Sequence, residues 1–266
     1  MNARTEPATA EPDATATARP PLPREFLLVA GLFLVYKLGR QLAVGHTTDA
    51  FRNAHRVWHL ERALRLPDET SVQSALLHGD LLVRLANTYY ATVHFPATLA
   101  FLVWLYVRRP AHYVWARRVL AAVTAAALVL PFTFPLAPPR MLTGTGLLDT
   151  ARIYGPSVYG PPAGDHLSNQ FAAMPSLHFG WALMVAVGLM AATRSRLRPL
   201  WLLHPLVTLL VIVGTANHYW LDALAAAVML GAALAVVRAP RHTSGTAGCT
   251  ARLPAQRGPV LAGAGR

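Results

Sequence analysis

Met-Pro-Ser-Leu-His, at positions 174–178, opens one of several long apolar runs in this chain of 266 residues. Two other short motifs also lie at the edges of apolar runs. They are Ala-Pro-Pro-Arg at positions 137–140 and Asn-His-Tyr-Trp-Leu-Asp at positions 217–222. Each motif contains side chains that can bind an anion or transfer a proton. We therefore predict that the three motifs meet in one site.

The amino-acid composition indicates whether the fold is surrounded by water or by lipid. The chain is 54% hydrophobic and only 14% charged, whereas ordinary soluble domains carry about 25% charged residues. Too few polar side chains are present to cover a soluble core of this size, and the apolar runs reach membrane-spanning length. An integral membrane protein is predicted.

The predicted fold class is all-α, a membrane bundle of six helices. The apolar segments that form it lie at 26–44, 81–107, 119–135, 177–193, 200–216 and 219–237. The membrane-embedded domain then covers residues 25–237. Residues 1–24 and 238–266 have the composition of disordered tails.

An amphipathic helix is predicted between the first two spans. Phe51, Val57, Leu60 and Leu64 recur at helical spacing, with charged residues such as Glu61 between them. This pattern is typical of a helix that lies on the membrane surface. It makes the segment an interfacial helix with Glu61 on its polar side.

Orientation follows from the basic loops. Two short loops carry most of the arginines between spans, namely Arg108, Arg109, Arg117, Arg118, Arg194, Arg196 and Arg198. The positive-inside rule places these loops and both tails in the cytoplasm. The protein is then a multi-pass protein of the cell membrane, and the interfacial helix and all three motifs lie on the extracytoplasmic side. The motifs were not used to assign this topology.

The net charge of +12 raises the question of nucleic acid, but the arginines cluster in short loops beside apolar runs. A lipid headgroup or the membrane potential explains that placement better, and no nucleic-acid partner is predicted. The single cysteine, Cys249, excludes an intrachain disulfide and a multi-cysteine metal site.

The histidine motifs predict a nucleophile and a proton donor. His218 and Asp222 are four positions apart, so on a helix they share a face. A carboxylate bonded to one imidazole nitrogen leaves the other free to attack phosphorus. His178 is suited to protonating a departing alkoxide, and Arg140 to binding two phosphate oxygens.

Phosphate is also expected at the start of the fourth span. Pro175 fits the first position of a helix, which would direct free backbone N–H groups at an anion, and Ser176 would add a hydroxyl. Taken alone, a Pro-Ser pair is also an ordinary helix-start signal. His94, inside the second span, either packs against another helix or touches the site, and packing is the favoured interpretation.

In combination, the motifs resemble a known family. Pro-Ser-Leu-His followed about forty residues later by His-x-x-x-Asp is similar to the type 2 phosphatidic acid phosphatase superfamily, which shares its fold with vanadium haloperoxidases. The forms Ala-Pro-Pro-Arg-Met, Ala-Ala-Met-Pro-Ser-Leu-His and His-Tyr-x-x-Asp more closely resemble its inositol phosphorylceramide synthase-like branch. The resemblance covers about residues 50–237.

This resemblance implies a role for each motif residue. His218 matches the nucleophile, Asp222 the acid that orients it and His178 the general acid, while Arg140 and Ser176 match phosphate-binding positions. It also implies a lipid phosphate substrate and a reaction without a metal or other cofactor. The implied product is a hydrolysed lipid or a transferred phosphoryl or phospho-headgroup unit.

The sequence departs from the phosphatase pattern at four positions. Thr133 stands in place of a Lys, Met141 in place of a Pro, and Val211 and Ile212 in place of a Ser-Arg pair. Two cationic phosphate ligands are thereby missing, and Lys37 or Arg152 is a candidate replacement. The departures are compatible with the transferase branch. A haloperoxidase-type enzyme is disfavoured by the spans and missing cations. A non-enzymatic permease or scaffold is the remaining alternative.

Overall fold

Helices make up the fold of the computed structural model, which describes residues 19–42, 47–156 and 171–240. Short 3-10 helices cover Pro139–Met141 and Arg198–Leu202. The α-helices are α1 (Leu22–Leu42), α2 (Thr47–Ala63), α3 (Glu69–Leu76), α4 (Asp80–Thr92), α5 (His94–Arg108), α6 (Pro110–Thr133), α7 (Thr150–Tyr154), α8 (Leu177–Ala192), α9 (Leu203–Gly214) and α10 (Trp220–Val236). The described residues contain no β-strand, so the all-α prediction is confirmed. Most of both predicted tails, 1–18 and 241–266, lies outside the described residues.

The membrane-spanning potential of the helices is uneven. In the described part of the chain, α6 alone is long and apolar enough to cross a membrane as a single helix. Helices α4 and α5 count as one further span if they are taken together, although they meet at a bend of 48°. The apolar helices α8 and α10 and the segment Arg198–Gly214 are shorter. Six separate spanning helices therefore stay a prediction.

The bend between α4 and α5 corrects the expectation of one continuous helix over 81–107. Pro96 is the third residue of α5. Proline has no backbone N–H, and its ring clashes with the carbonyl group four residues earlier, here that of Thr92. Helix α4 accordingly ends at Thr92, and His94 begins α5.

A hydrophobic core holds four helices together. Phe101 and Leu105 of α5 pack with Val119 of α6, Met184 of α8 and Leu230 of α10, and all five side chains are buried. Helix α1 lies along α6, where Glu25 forms an ion pair with Arg117 and accepts a hydrogen bond from Tyr113. At their starts, α8 and α10 are joined by a hydrogen bond from the Ser176 N–H to the Asp222 carbonyl oxygen.

Helix α2 forms as predicted, but it buries a different face. The buried residues are Ala50, Asn53, Ala54, Val57 and Glu61, which follow the helical repeat. Leu60 and Leu64 are about half exposed. The buried face of α2 thus includes Val57 but not Leu60 or Leu64, and Glu61 lies on the buried side rather than the polar side.

The segment between α6 and α8 brings the first motif to the other two. Leu136 pairs with Ala172 in an isolated parallel bridge, and the Ala173 N–H donates to the Leu136 carbonyl oxygen. The Arg140 N–H donates to the carbonyl oxygen of Ala216 at 3.0 Å. Backbone hydrogen bonds thus join the Arg140 motif both to the loop before α8 and to the turn before α10.

Candidate active site

His218 lies two residues before the start of α10 and is buried. Its Nδ1 atom is 2.8 Å from the Ala173 carbonyl oxygen and 3.2 Å from Oδ2 of Asp222. A carbonyl oxygen can only accept a hydrogen bond, so Nδ1 carries the proton. In the neutral imidazole, Nε2 then carries no proton. Its lone pair is available for attack, as a nucleophile requires.

Asp222 is the third residue of α10 and is fully buried. Its Oδ2 atom accepts hydrogen bonds from the Tyr219 N–H and from His218. The spacing had suggested that His218 and Asp222 share the face of one helix. Instead, His218 precedes the helix and Asp222 reaches back to it, as capping carboxylates do at helix starts. The predicted pair is nevertheless formed.

His178 lies one residue after the start of α8, and its ring centroid is 6.1 Å from that of His218. The ring stacks on Tyr90 at a centroid distance of 4.3 Å and an interplanar angle of 21°. This contact with α4 fixes the plane of the His178 ring. The two motif histidines are therefore neighbours, as predicted.

His94 touches the site, contrary to the favoured interpretation of simple packing. Its ring centroid is 4.5 Å from that of His178 and 5.0 Å from that of Trp181. The break before α5 points this first residue of the helix at the start of α8. The apolar surroundings of His94 and Tyr90 in the sequence gave no indication of these contacts with His178.

Arg140 lies beside the turn that carries His218. Its Nη1 group donates to Oδ1 of Asn217 at 2.5 Å, and its Nε atom is 3.5 Å from a carboxylate oxygen of Asp149. Only 3% of the side chain is exposed. The guanidinium is thus held by protein groups next to His218.

Ser176 caps α8, and its hydroxyl oxygen accepts a hydrogen bond from the Phe179 N–H at 3.4 Å. Its own N–H donates to the Asp222 carbonyl oxygen, which links the second motif to the third. The prediction that Pro175 occupies the first helical position was wrong. Ser176 is a better N-cap, so the helix begins at Leu177 and Pro175 precedes the cap.

Glu61, predicted on the polar side of the interfacial helix, is also a residue of the site region. Its Oε1 atom accepts a hydrogen bond from the Leu221 N–H at 2.8 Å, and the side chain is fully buried. Burial raises the pKa of the Glu61 carboxyl to about 7, and the nearby Asp222 adds to the increase. A buried carboxylate therefore contacts the same first helical turn that holds His218.

The positions that depart from the phosphatase pattern are occupied by packing residues. Val211 and Ile212 are buried, and the Ile212 carbonyl oxygen accepts from the N–H groups of Asn217 and His218. The Thr133 hydroxyl donates to carbonyl groups of its own helix. Arg152 is exposed, and the side chain of Lys37 lies outside the described part of the structure.

Two other features lie apart from these residues. A cavity of about 430 Å³, lined by His112, Arg194 and Arg198 among others, lies at the end of α8 opposite His178. Among the described residues, no group of three or more His, Cys, Asp or Glu side chains is placed to hold a metal ion. The prediction of a metal-independent reaction stays a prediction.

An all-helical protein with two neighbouring histidines, a buried carboxylate and an arginine at helix starts has the groups needed for histidine-based phosphoryl transfer. A family model described as the PAP2 superfamily matches residues 55–236, and the chain belongs to that superfamily. This membership confirms the resemblance at the superfamily level and suggests phosphatase-type activity on lipid phosphates. The search of curated proteins and the search of solved structures found no significant match.

Proposed function

We propose that this protein is a membrane enzyme that hydrolyses or transfers a phosphoryl or phospho-headgroup unit of a lipid phosphate, with His218 as the covalent nucleophile. The observation that carries the proposal is the pair of contacts at Nδ1 of His218, from Ala173 and Asp222. They leave Nε2 as the nucleophilic atom, and the ring of His178 is adjacent.

In the first step, Nε2 of His218 attacks phosphorus, and the bond between phosphorus and the lipid oxygen breaks. Protonated His178 donates its proton to the departing oxygen, which leaves as an alcohol. The Nδ1–H of the phosphorylated imidazole stays with Ala173 and Asp222, and the carboxylate stabilises the positive charge on the ring. No metal is needed for this step.

In the second step, neutral His178 takes a proton from a hydroxyl group, either of water or of an alcohol acceptor. The resulting oxygen nucleophile attacks phosphorus, the bond to Nε2 breaks and His218 is regenerated. Arg140 and the capped start of α8 stabilise the charge on the phosphate oxygens. The hydroxyl of Ser176 is the second side-chain group, after Arg140, that binds the phosphate.

The surface of the helices supports a membrane location. Large apolar side chains are exposed on several helices, including Phe26 and Leu34 of α1, Leu99 of α5, Leu206 of α9 and Val228 of α10. Exposed apolar surface on this scale marks contact with lipid or another partner. We place the six segments across the membrane, with both tails in the cytoplasm and the histidines at the extracytoplasmic rim.

The motif departures favour transfer over simple hydrolysis and support the inositol phosphorylceramide synthase-like branch. Val211 and Ile212 are buried where the hydrolases have Ser-Arg, so neither of these two positions supplies a cation or a hydroxyl to the phosphate. A site with less positive charge stabilises a free phosphate dianion less well as its product. A headgroup diester, with one negative charge, suits it better.

The experiment uses the full chain in detergent with a panel of labelled lipid phosphates and phosphodiesters, with and without an added polyol. Wild type should release or transfer label. His218→Ala should lower turnover by roughly a thousand-fold or more, as removal of a covalent nucleophile does. His112→Ala is the matched control, because His112 is also buried but lies at the other end of the bundle.

The covalent route has its own measurement. Quenched wild-type enzyme should contain a phosphoramidate on His218 that is stable to alkali and labile to acid, and His218→Ala should not. Equal turnover by wild type and His218→Ala would exclude this site. A wild-type protein that transforms no member of the panel would favour the non-enzymatic alternative.

A further inference from the structure

Glu61 is a buried carboxylate for which the catalytic steps above have no use. Its Oε1 atom is bonded to the Leu221 N–H, while Oε2 has no hydrogen-bond partner among the described residues. Burial of a carboxylate with an unpaired oxygen costs free energy. The helix start at which Glu61 lies offsets part of this cost, because its N–H groups favour a nearby negative charge.

Glu61 and Asp222 bind different N–H groups of one helical turn. The first N–H groups of an α-helix have no partner within the helix and need outside acceptors. Asp222 accepts from Tyr219, and Glu61 accepts from Leu221. Because Leu221 directly precedes Asp222 in the chain, a shift of the Leu221 peptide would displace the carboxylate that holds His218.

A second contact ties the same turn to the segment after α2. The indole N–H of Trp220 donates to the Pro67 carbonyl oxygen at 2.8 Å. That contact is exposed, whereas Glu61 is excluded from water. The buried hydrogen bond is therefore the better anchor, since water competes with it less.

We propose that Glu61 is a positioning residue for the nucleophile: through the Leu221 N–H it fixes the first turn of α10, so that Asp222 holds His218 with Nε2 towards His178. The proposal rests on the proposed function of His218. Glu61 acts through Leu221 and Asp222, so its contribution is to the orientation of the imidazole. Loss of the contact lowers kcat rather than substrate affinity.

Glu69 supplies a matched control. It is also fully buried, but it is paired with Arg62. Glu61→Met and Glu69→Met make the same chemical change at two buried carboxylates, and methionine keeps the length of the side chain. Glu61→Gln is the conservative variant, because it retains an oxygen that can accept from Leu221.

The kinetic test compares the three variants with wild type on the best substrate of the panel, each well below its own Tm. Glu61→Met should lower kcat by about 10- to 100-fold, the range for residues that orient a reacting group, with KM changed by less than about 3-fold. Glu61→Gln and Glu69→Met should keep kcat within about 3-fold of wild type. The proposal is overturned if the kcat of Glu61→Met lies within about 3-fold of that of Glu69→Met. It is also overturned if Glu61→Gln loses as much kcat as Glu61→Met.

A measurement without substrate separates this proposal from the proposed function. In protein with ¹⁵N-labelled histidine, His218 should show one tautomer, with the proton on Nδ1. Glu61→Met should change the His218 resonances, whereas Glu61→Gln and Glu69→Met should not. An unchanged His218 spectrum in Glu61→Met overturns the proposal for Glu61, whether or not the wild type acts on a lipid. A wild type that acts on no lipid overturns the proposed function alone.

Discussion

The Nδ1 atom of His218 lies 2.8 Å from the carbonyl oxygen of Ala173, four residues before Leu177 at the start of α8. The loop that leads into the second motif therefore fixes the proton on the histidine of the third motif. Asp222, at 3.2 Å from the same nitrogen, adds negative charge to a tautomer that Ala173 already selects. Ala173 thus selects the tautomer, and Asp222 supplies the negative charge.

Asp222→Asn should lower kcat by about 10- to 100-fold, well short of the roughly 10⁴-fold loss seen where a triad carboxylate alone sets the tautomer. Asparagine keeps an oxygen that can accept from Tyr219, and Ala173 keeps the proton on Nδ1. What is lost is the charge that stabilises the phosphorylated ring. Steady-state kinetics on one lipid substrate measure the loss, with His218→Ala as reference. A loss as large as that of His218→Ala would contradict the role given to Ala173.

His178→Ala should show a loss that depends on the leaving group. An alkyl lipid ester leaves as a strong base and needs a proton, whereas an activated aryl phosphate leaves without one. The first step should therefore be slowed much more for the lipid than for the aryl ester. Because the second step also needs His178 as a base, phosphorylated His218 should accumulate with the aryl ester. Rapid-quench trapping measures the rate of the first step and the amount of phosphorylated His218. An equal loss of first-step rate for both esters would argue against a proton-transfer role of His178.

The convergence of the three motifs could be predicted from sequence because each motif adjoins an apolar run. Arg140, His178 and His218 follow or precede long hydrophobic segments, so the order of those segments alone assigns them to one side of the bundle. The chemistry of these three side chains then indicated a site that binds phosphate and transfers protons. The His218–Asp222 contact agreed with this expectation, although the helix begins after His218 rather than before it.

Glu61 and His94 could not be placed in this way. Glu61 lies on the buried face of α2 because its partner is the backbone N–H of Leu221, and backbone groups leave no signal in a sequence. His94 reaches His178 because Pro96 breaks the helix and α5 takes a new direction. A proline indicates that a break is possible, but the angle depends on packing with α6 and α8. Both residues needed tertiary geometry.

Glu61 should also make stability depend on pH. Its pKa in the folded protein is about 7, above the ordinary value of 4.5, because burial and the nearby Asp222 raise it more than the hydrogen bond from Leu221 and the charge of Arg62 lower it. A carboxyl with a raised folded pKa binds more protons when folded, so stability falls as pH rises from about 4.5 to about 7. It stays level at higher pH.

Glu61→Gln removes this titration and should stabilise the protein more at pH 8 than at pH 5. The expected difference is about 2 to 3 kcal/mol, or roughly 5 to 10 °C in Tm for a chain of this size. Thermal unfolding of both proteins in one detergent at the two pH values measures it. Tyr219 and Asp222 also lie near Glu61 and are unchanged in the variant. A Tm difference that is the same at pH 5 and pH 8 would show that Glu61 does not titrate in this range.

Gly188 of α8 should be required for the close approach of α5. A Cβ atom there would lie 2.3 Å from Cζ and 2.8 Å from Cε2 of Phe101, which is buried and cannot easily move. Gly188→Ala should therefore destabilise the protein by about 1 to 3 kcal/mol through overpacking. Gly231 of α10 is the matched control, because a Cβ atom there would meet nothing within 4 Å beyond its chain neighbours and its own helix backbone. Gly231→Ala should be neutral or stabilising by up to about 1 kcal/mol, since alanine favours the helix. Thermal unfolding of the two variants measures the contrast, and a Gly188→Ala protein as stable as Gly231→Ala would mean that Phe101 does not pack against Gly188.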